Sequence, residues 1–326
     1  MKKLFLPLIA LLLSANVAFA QDGGIESPWT HGGNVGFNMA QSHFDNWAAG
    51  GQDNINFLGL AKYDINYKNG NHKWDNNIDL QLGYSYYDLD KKPIKTDDRI
   101  FLSSLYGYNL SNNKLFATAN FTFQSQFTNG YNYAADSTNR ISGFMAPGYF
   151  TLGLGAQWVP NEHFKVNFAP LTAKMTYVND QTLADDGAFG VKKAEYEEDE
   201  EGNYILDANG ERILIKHGEK IRWELGAQLT AEFNYEIAKN VTFSSKLIAF
   251  YNYLGGNENA LGEKYTCPVD FDWDNALIMK VNDWLSCNIT ARLVYDEDIA
   301  PLSHVEGTTF RQFKEVMSIG ISYKIP

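Results

Sequence analysis

The stretch that decides the fold is residues 221–235, with the sequence IRWELGAQLTAEFNY. Every second residue from Ile221 to Tyr235 is apolar, and the residues between them include Arg222, Glu224 and Glu232. Successive side chains of a β-strand point to opposite faces, so a period of two indicates a strand with one apolar and one polar face. An ordinary strand has about 5 to 6 residues, whereas a tilted strand that crosses a membrane needs about 9 to 11. This segment is long enough to cross a membrane.

Three further segments, residues 74–86, 241–253 and 285–295, repeat this alternation. In the four segments together, the apolar face has 28 positions and no charge, while the polar face has 24 positions and 7 charges. A face that excludes charge over such lengths favours contact with lipid. A soluble sandwich, in which the apolar face is the core, stays the alternative.

The whole chain divides into twelve such segments, joined by connections that alternate between short and long. Short turns on one side, long loops on the other and an even strand number are typical of outer-membrane barrels. We therefore predict an all-β fold: a transmembrane, antiparallel, up-and-down β-barrel of about 12 strands, with short periplasmic turns and long extracellular loops. The predicted strands are residues 34–41, 54–67, 73–87, 99–110, 115–127, 149–159, 164–178, 220–236, 241–253, 269–281, 285–295 and 313–325.

One predicted strand, residues 164–178, contains a proline. Pro170 cannot donate a hydrogen bond to a neighbouring strand, and the apolar parity shifts after it. A proline inside a sheet is typical of a bulge, so we predict a bulge at this position.

Aromatic residues concentrate at both ends of the predicted strands. Such rings prefer the headgroup depth of a bilayer, so two belts indicate a membrane between them. The belt near the short turns comprises Tyr67, Trp74, Tyr108, Trp158, Phe164, Tyr235, Phe243 and Tyr323. The belt near the long loops comprises Tyr86, Phe127, Tyr149, Tyr177, Trp223, Tyr253, Trp273 and Tyr295.

The N-terminus has the pattern of a secretory signal. Lys2 and Lys3 precede an apolar run, and Ala18-Phe19-Ala20 supplies small residues at the spacing of a cleavage site. We predict a cleaved signal peptide over residues 1–20 and a single barrel domain over residues 21–326. Export and a barrel together predict localisation in the outer membrane of a Gram-negative cell envelope.

Composition excludes several classes of protein. The 326 residues carry a net charge of −12, which argues against binding to nucleic acid. Two cysteines cannot form a disulfide framework or a four-thiolate metal site. Cys267 and Cys287 fall near opposite ends of the predicted strands, beyond the roughly 7 Å limit for a bridge, so both are predicted to be free.

Three motifs, at residues 44–51 (FDNWAAGG), 170–174 (PLTAK) and 183–190 (LADDGAFG), resemble signatures of a Bacteroidetes-type family of outer-membrane β-barrels. That family is described only as a domain of unknown function. The resemblance implies a barrel in the cell envelope over essentially the whole mature chain. It implies no activity and no catalytic residues.

The polar face of the strands would line the interior of the barrel. Ten basic and eight acidic side chains fall on this face, so the lining is nearly balanced in charge. Twelve strands lie between the eight that side chains fill and the sixteen that leave an aqueous channel. The charges therefore either line a narrow, porin-like pore for small polar solutes or pair into a network that closes it. The candidate lumen residues are Asp75, Asp79, Arg99, Lys174, Arg222, Glu224, Glu232, Lys246, Asp272, Asp274 and Arg292.

The longest loop contains an acidic insertion at residues 191–217, which we predict to be an extracellular hairpin. Residues 204–207 and 212–215 are apolar-rich and flank an Asn-Gly turn. We expect this hairpin to extend the two flanking barrel strands beyond the membrane. The acidic runs at residues 195–201 and 296–298 are expected to be solvated loops. Divalent cations are the alternative for both, and at the first run they would bridge lipopolysaccharide.

Signals for an enzyme or a cofactor are weak. The adjacent pairs Ser42-His43 and Ser303-His304 could act only on loops, because neighbours on a strand point to opposite faces. No two histidines have the spacing of metal ligands. We therefore predict no enzyme, no metal and no cofactor. A closed barrel with a structural or surface-interaction role is the main alternative to a pore, and a lipid-modifying enzyme comes third.

The partners predicted for such a barrel are those of its membrane. They are outer-membrane lipid, lipopolysaccharide and, during biogenesis, the barrel-assembly machinery. The oligomeric state stays open.

Overall fold

The computed structural model of the chain describes residues 27–42, 53–87, 92–133, 136–255, 264–265, 267–299 and 310–325. The predicted signal peptide and the 44–51 motif lie outside these ranges. The strands are β1 (Trp29–Ser42), β2 (Asn54–Asn69), β3 (His72–Tyr86), β4 (Ile94–Ser111), β5 (Leu115–Ser125), β6 (Gly130–Asn132), β7 (Asp136–Ser142), β8 (Gly148–Trp158), β9 (Phe164–Tyr177), β10 (Glu195–Tyr196), β11 (Leu214–Lys216), β12 (Ile221–Ala238), β13 (Val241–Asn252), β14 (Val269–Lys280), β15 (Leu285–Tyr295) and β16 (Arg311–Ile325). A short helix, α1 (Gln181–Asp185), and a 3₁₀ turn (Ala188–Gly190) lie between β9 and β10.

Twelve strands form one closed antiparallel barrel, as predicted. Their order around the barrel is β1-β16-β15-β14-β13-β12-β9-β8-β5-β4-β3-β2. The barrel closes where β1 pairs with β16, for example at Val35 opposite Tyr323. All twelve predicted segments correspond to barrel strands, and the strands run from 11 to 18 residues. The small strands β6, β7, β10 and β11 were not among the predicted segments and belong to two separate two-stranded sheets.

The outer surface of the barrel is apolar. On the strands that close it, Phe37 is 44% exposed and Met317 is 69% exposed, whereas inward-facing Asn38 is 8% exposed. This is the reverse of a soluble sandwich, whose large apolar side chains would be buried. Within the described residues, no helix is long and apolar enough to cross a membrane.

The aromatic residues at the strand ends lie mainly on this outer surface. Trp158 and Tyr323 are exposed near the short turns, and Trp223 and Tyr253 are exposed near the long connections. Tyr149 is an exception to the predicted belt. It has the opposite parity to exposed Leu152 and Leu154, so its side chain faces the interior.

The short connections have the backbone geometry of tight hairpin turns. Asn112 and Asn113 both have positive φ, which is the geometry of a type I′ turn and is tolerated well by asparagine. Asn240 has positive φ in the connection between β12 and β13. Cys267 and Cys287 are both free, as predicted.

The predicted bulge is present in β9. Leu171 pairs with Leu154 and Phe168 pairs with Ala156, so two residues of β9 stand opposite Gly155 of β8. Phe168 and Leu171 are 49% and 52% exposed, so the outward parity changes across the bulge. A Cβ on Gly155 would lie 2.0 Å from the carbonyl oxygen of Phe168, so the close approach of the two strands requires glycine here.

The end of the barrel with the long connections, here the outer end, carries a small apolar core. Ala146, Val178, Leu183, Ala184 and Val191 are buried together, with Phe189 packed against them. The side chain of Asp180 caps α1 by accepting a hydrogen bond from the Leu183 amide. This core fixes residues 178–191 over the outer end.

The acidic hairpin, defined here as residues 195–216, does not extend the barrel strands, so that expectation was wrong. β10 and β11 form their own sheet, with Glu195 opposite Lys216. Isolated bridges join Glu198 to Tyr204 and Leu206 to Arg212. After β9 the chain enters the small apolar core, in which Val178 and Val191 are buried. The hairpin strands β10 and β11 therefore do not continue β9 and β12.

Candidate functional site: the charged lumen

The middle of the lumen is crossed by an ion pair. Arg99 on β4 and Asp274 on β14 lie 3.1 Å apart, Nη1 to Oδ2. Five strands separate β4 from β14 in either direction around the barrel. Side chains on opposite strands can meet only inside a barrel, so this contact identifies the polar parity as the lumen face.

The same middle layer contains a second arginine. Arg292 Nε and Nη2 donate to the two carboxylate oxygens of Asp272, at 2.9 and 2.7 Å. Such bidentate pairing holds the guanidinium in one orientation. Arg292 Nε also lies 3.5 Å from Asp274, which links the two arginines through one carboxylate. Lys62 and Asp79 pair at 3.5 Å on the neighbouring strands β2 and β3.

The outer layer of the lumen is a buried network. Lys174 Nζ lies 3.4 Å from Glu224 and 3.2 Å from Asp270, and Arg222 lies 3.1 Å from Glu224 and 2.5 Å from Asp298. The Glu224 side chain is 1% exposed. A buried carboxylate needs compensating charge, and here two cations supply it.

Carboxylates of Glu224, Asp270 and Asp298 come within 4.8 Å of one another, which is close enough to resemble a metal-binding group. Lys174 and Arg222 together contact all three of these side chains. Their positive charges account for the cluster as an ion-pair network.

The run 296–298 takes part in this outer layer, so the expectation of a solvated loop there was wrong. Glu297 is 1% exposed and accepts hydrogen bonds from the Tyr295 hydroxyl and the Cys267 amide. Asp298 accepts from Tyr265 and Arg222. Burial opposes ionisation of Asp298, but the charge of Arg222 and the Tyr265 hydroxyl outweigh it and lower the pKa of Asp298.

The inner layer, toward the short turns, is more accessible. Lys246, which stands opposite the middle-layer Asp274, lies 3.3 Å from Glu232, whose side chain is 42% exposed. Lys73 lies 3.3 Å from Asp75, whose side chain is also 42% exposed. The outer-layer carboxylates Glu224, Asp298 and Asp270 are 1%, 15% and 24% exposed, against 42% for these two, so water reaches the inner half of the lumen more than the outer half.

All eleven residues predicted from the sequence take part in ion pairs. Sequence reasoning missed Lys73, although it has the same parity as Asp75 and stands just before the segment that was phased. It also missed Asp98, which accepts from the amides of Phe127 and Thr128 at 2.6 and 2.9 Å. No local pattern predicts such loop contacts.

The two Ser-His pairs considered for catalysis lie wholly or partly outside the described part of the chain. His217 lies on the outer end, 62% exposed, with Nδ1 3.0 Å from Asp185. His43, Ser303 and His304 lie outside the described residues, so the prediction that the protein is not an enzyme stays a prediction.

Comparison with known families gives one match. Residues 39–131 match the family model described as "Protein of unknown function (DUF3078)". The match confirms the resemblance to a domain of unknown function, and it runs from the end of β1 into β6. Of the three motifs that carry the resemblance, only residues 44–51 fall inside it. A comparison with curated proteins gave no match.

Solved structures of outer-membrane barrels are similar in outline. An outer membrane channel from Pseudomonas putida F1 has 9% identity and a TM-score of 0.39, over 94% of this chain and 98% of that one. The NanC porin has 8% identity and a TM-score of 0.37, over 90% and 98%. The outer membrane phospholipase of Salmonella typhi has 9% identity and a TM-score of 0.35, over 94% of both chains. At these identities and scores the similarity does not identify an activity.

Proposed function

We propose that the protein is an outer-membrane channel of narrow bore that lets small polar solutes diffuse across the membrane. The observation that carries the proposal is the interior of the barrel. Charged side chains of both signs line it from the outer layer to the inner layer, inside a barrel whose outer surface is apolar. Charged rings of this kind set the selectivity of known pores.

The bore is narrow because side chains of opposite walls meet. The Arg99–Asp274 pair crosses the middle layer, and Lys246 on β13 places its ammonium 5.1 Å from the Phe101 ring on β4. A solute must pass beside these side chains or displace them. Small, hydrated solutes are therefore the expected cargo, and large apolar ones are excluded.

A closed barrel with a structural or surface-interaction role is the second candidate. The same Arg99–Asp274 contact favours it, as does the near-complete burial of Glu224 in the outer layer. In that case the lumen charges serve to hold the barrel walls together, and function resides in the outer connections.

The proposed location is the outer membrane, after removal of residues 1–20. Lipid and lipopolysaccharide would cover the apolar outer surface, and the barrel-assembly machinery would insert the protein. The exposed aromatic residues at both ends of the strands, among them Trp158 and Trp223, support this arrangement.

Swelling of proteoliposomes tests the channel directly. Residues 21–326, folded in detergent and reconstituted, should let vesicles swell in a small polar solute such as glycine faster than in a tetrasaccharide of equal osmolarity. Empty vesicles are the matched control. Swelling no faster than that of empty vesicles, with the protein folded and inserted, would contradict the proposal and favour the closed barrel.

A further inference from the structure

The acidic hairpin is a separate unit on the outer end of the barrel. Residues 195–216 contain eight acidic and two basic side chains, which gives a net charge of −6. The hairpin is built from its own backbone bonds, in which Glu197 donates to Ile213, Ile213 to Ile205 and Ile205 to Glu197. The three segments that contain these residues are therefore held to one another.

One face of the hairpin combines aromatic and aliphatic side chains. The register pairs Tyr196 with Leu214 and Leu206 with Arg212, and paired residues share a face. The Arg212 guanidinium lies 4.2 Å from the Tyr204 ring and 5.7 Å from the Tyr196 ring. Leu206 is 55% exposed and Leu214 is 38% exposed. Glu198, which is paired with Tyr204, stands on the same face. This surface, called here the Tyr204 face, is therefore largely apolar, with Glu198 and Arg212 among its apolar side chains.

The charges of the hairpin surround this face with negative potential. Arg212 is engaged by the two tyrosine rings, and Lys216 lies 3.7 Å from Glu219. Backbone hydrogen bonds from Asn203 lower the pKa of Asp199, and those from Glu211 lower the pKa of Asp207. These two carboxylates therefore stay charged in mildly acidic surroundings.

These observations limit what can cover the Tyr204 face. A phosphate-bearing lipid surface is repelled by the negative charge, and so is a second copy of the same hairpin. A small polyamine satisfies the charge but leaves Leu206 and Leu214 exposed. An extended polypeptide that alternates basic and apolar side chains satisfies both features.

We propose that the acidic hairpin is a docking site for a cationic, amphipathic polypeptide outside the cell. Apolar side chains of the partner cover the Tyr204 face, and its lysine or arginine side chains meet the carboxylates of residues 195–201. The proposal does not depend on whether the lumen conducts.

Binding of a defined peptide to the full barrel tests this site. The probe is a short peptide of alternating lysine and leucine, added to the protein in nanodiscs of zwitterionic lipid. Comparison peptides are oligolysine, which lacks the apolar part, and alternating glutamate and leucine, which reverses the charge. We expect the lysine–leucine peptide to bind about tenfold more tightly than either.

Two kinds of variant locate the binding. Residues 195–216 can be replaced by two glycines, because Glu195 and Lys216 stand opposite each other at the base of the hairpin. This deletion should abolish the preference for the lysine–leucine peptide. Leu206→Ser with Leu214→Ser should weaken binding of that peptide about tenfold. Asp283→Asn, at a short turn on the opposite end of the barrel, is the charge control and should leave binding of the lysine–leucine peptide unchanged.

Several results would overturn the proposal. The deletion variant could bind the lysine–leucine peptide as tightly as the wild type does, or the wild type could bind oligolysine as tightly as that peptide. The protein could also associate more strongly with lipopolysaccharide vesicles than with the peptide. The gel shift of the folded barrel on heating shows that each variant is intact.

Discussion

Arg99 and Asp274 join opposite walls of the barrel by a 3.1 Å ion pair across the lumen. Asp274 also lies 3.5 Å from Arg292, which makes a bidentate pair with Asp272. The Asp274 carboxylate therefore connects Arg99 on one wall with Arg292 on the other. The diameter of the lumen at this height is consequently set by side chains. This distinguishes the barrel from a wide aqueous porin and makes the middle layer the place where substitutions should act most strongly.

The close approach at the β9 bulge gives a prediction about stability. Gly155→Ala places a Cβ 2.0 Å from the Phe168 carbonyl oxygen, so the strands must move apart. We expect a loss of about 1 to 3 kcal/mol in the free energy of unfolding, measured by urea denaturation in detergent. Gly59→Ala is the matched control, because its Cβ would meet nothing closer than 3.9 Å. Equal stability of the two variants would contradict the register at the bulge.

The buried outer network gives a second prediction. Arg222→Met removes one of the two cations that compensate Glu224, which is 1% exposed. Breaking such a pair costs about 3 kcal/mol, because the remaining charge stays buried. Adding Glu224→Gln should restore part of the loss, since it removes the uncompensated charge. Thermal denaturation measures both effects, and Arg212→Met on the hairpin should leave barrel stability unchanged.

The turn of the acidic hairpin gives a prediction about pH. Hydrogen bonds from the Glu211 and Asn209 amides lower the pKa of Asp207 in the folded hairpin. A carboxyl with a lowered folded-state pKa contributes stability above its unfolded pKa and loses it as pH falls through the folded value. The hairpin should therefore loosen on strong acidification, seen as loss of the distinct NMR signals of the Tyr204 ring.

Asparagine at this position separates the charge from the turn geometry. Asp207→Asn keeps a side-chain acceptor but cannot titrate, so the variant should lose part of this pH dependence. Asp199, whose pKa is lowered in the same way, and Glu195, whose pKa is lowered by Lys192, also contribute. An unchanged acid transition in the Asp199→Asn, Asp207→Asn double variant would show that other groups control the hairpin.

Period-two alternation was sufficient to predict the barrel strands. Segments such as 221–235 face lipid on one side and polar side chains on the other, so their pattern is strong and local. Pro170 likewise predicted its bulge, because a missing donor has a direct consequence for strand pairing. The same parity selected eleven residues that form ion pairs, although Lys73, which also has this parity, was missed.

The partners of those residues could not be predicted. The contact of Arg99 with Asp274 depends on the relative heights of strands that are far apart in sequence. Asp298 is drawn into the lumen network by Arg222 and Tyr265, although its acidic run resembles a solvated loop. The hairpin departs from the barrel because residues 178–191 form their own core. Isolated apolar residues such as Val178 and Val191 give no sequence pattern that predicts this core.

Conductance across a planar bilayer tests the central claim most directly. The channel account predicts discrete current steps for the wild-type protein, residues 21–326. It predicts larger steps for the Arg99→Ala, Asp274→Ala double variant, because removing both side chains opens the middle layer. Lys192→Ala with Glu195→Ala, an exposed ion pair at the outer end of the barrel, is the control and should change the steps little. Silence of both the wild type and the Arg99, Asp274 variant, with folded protein inserted, would contradict the channel and leave a closed barrel.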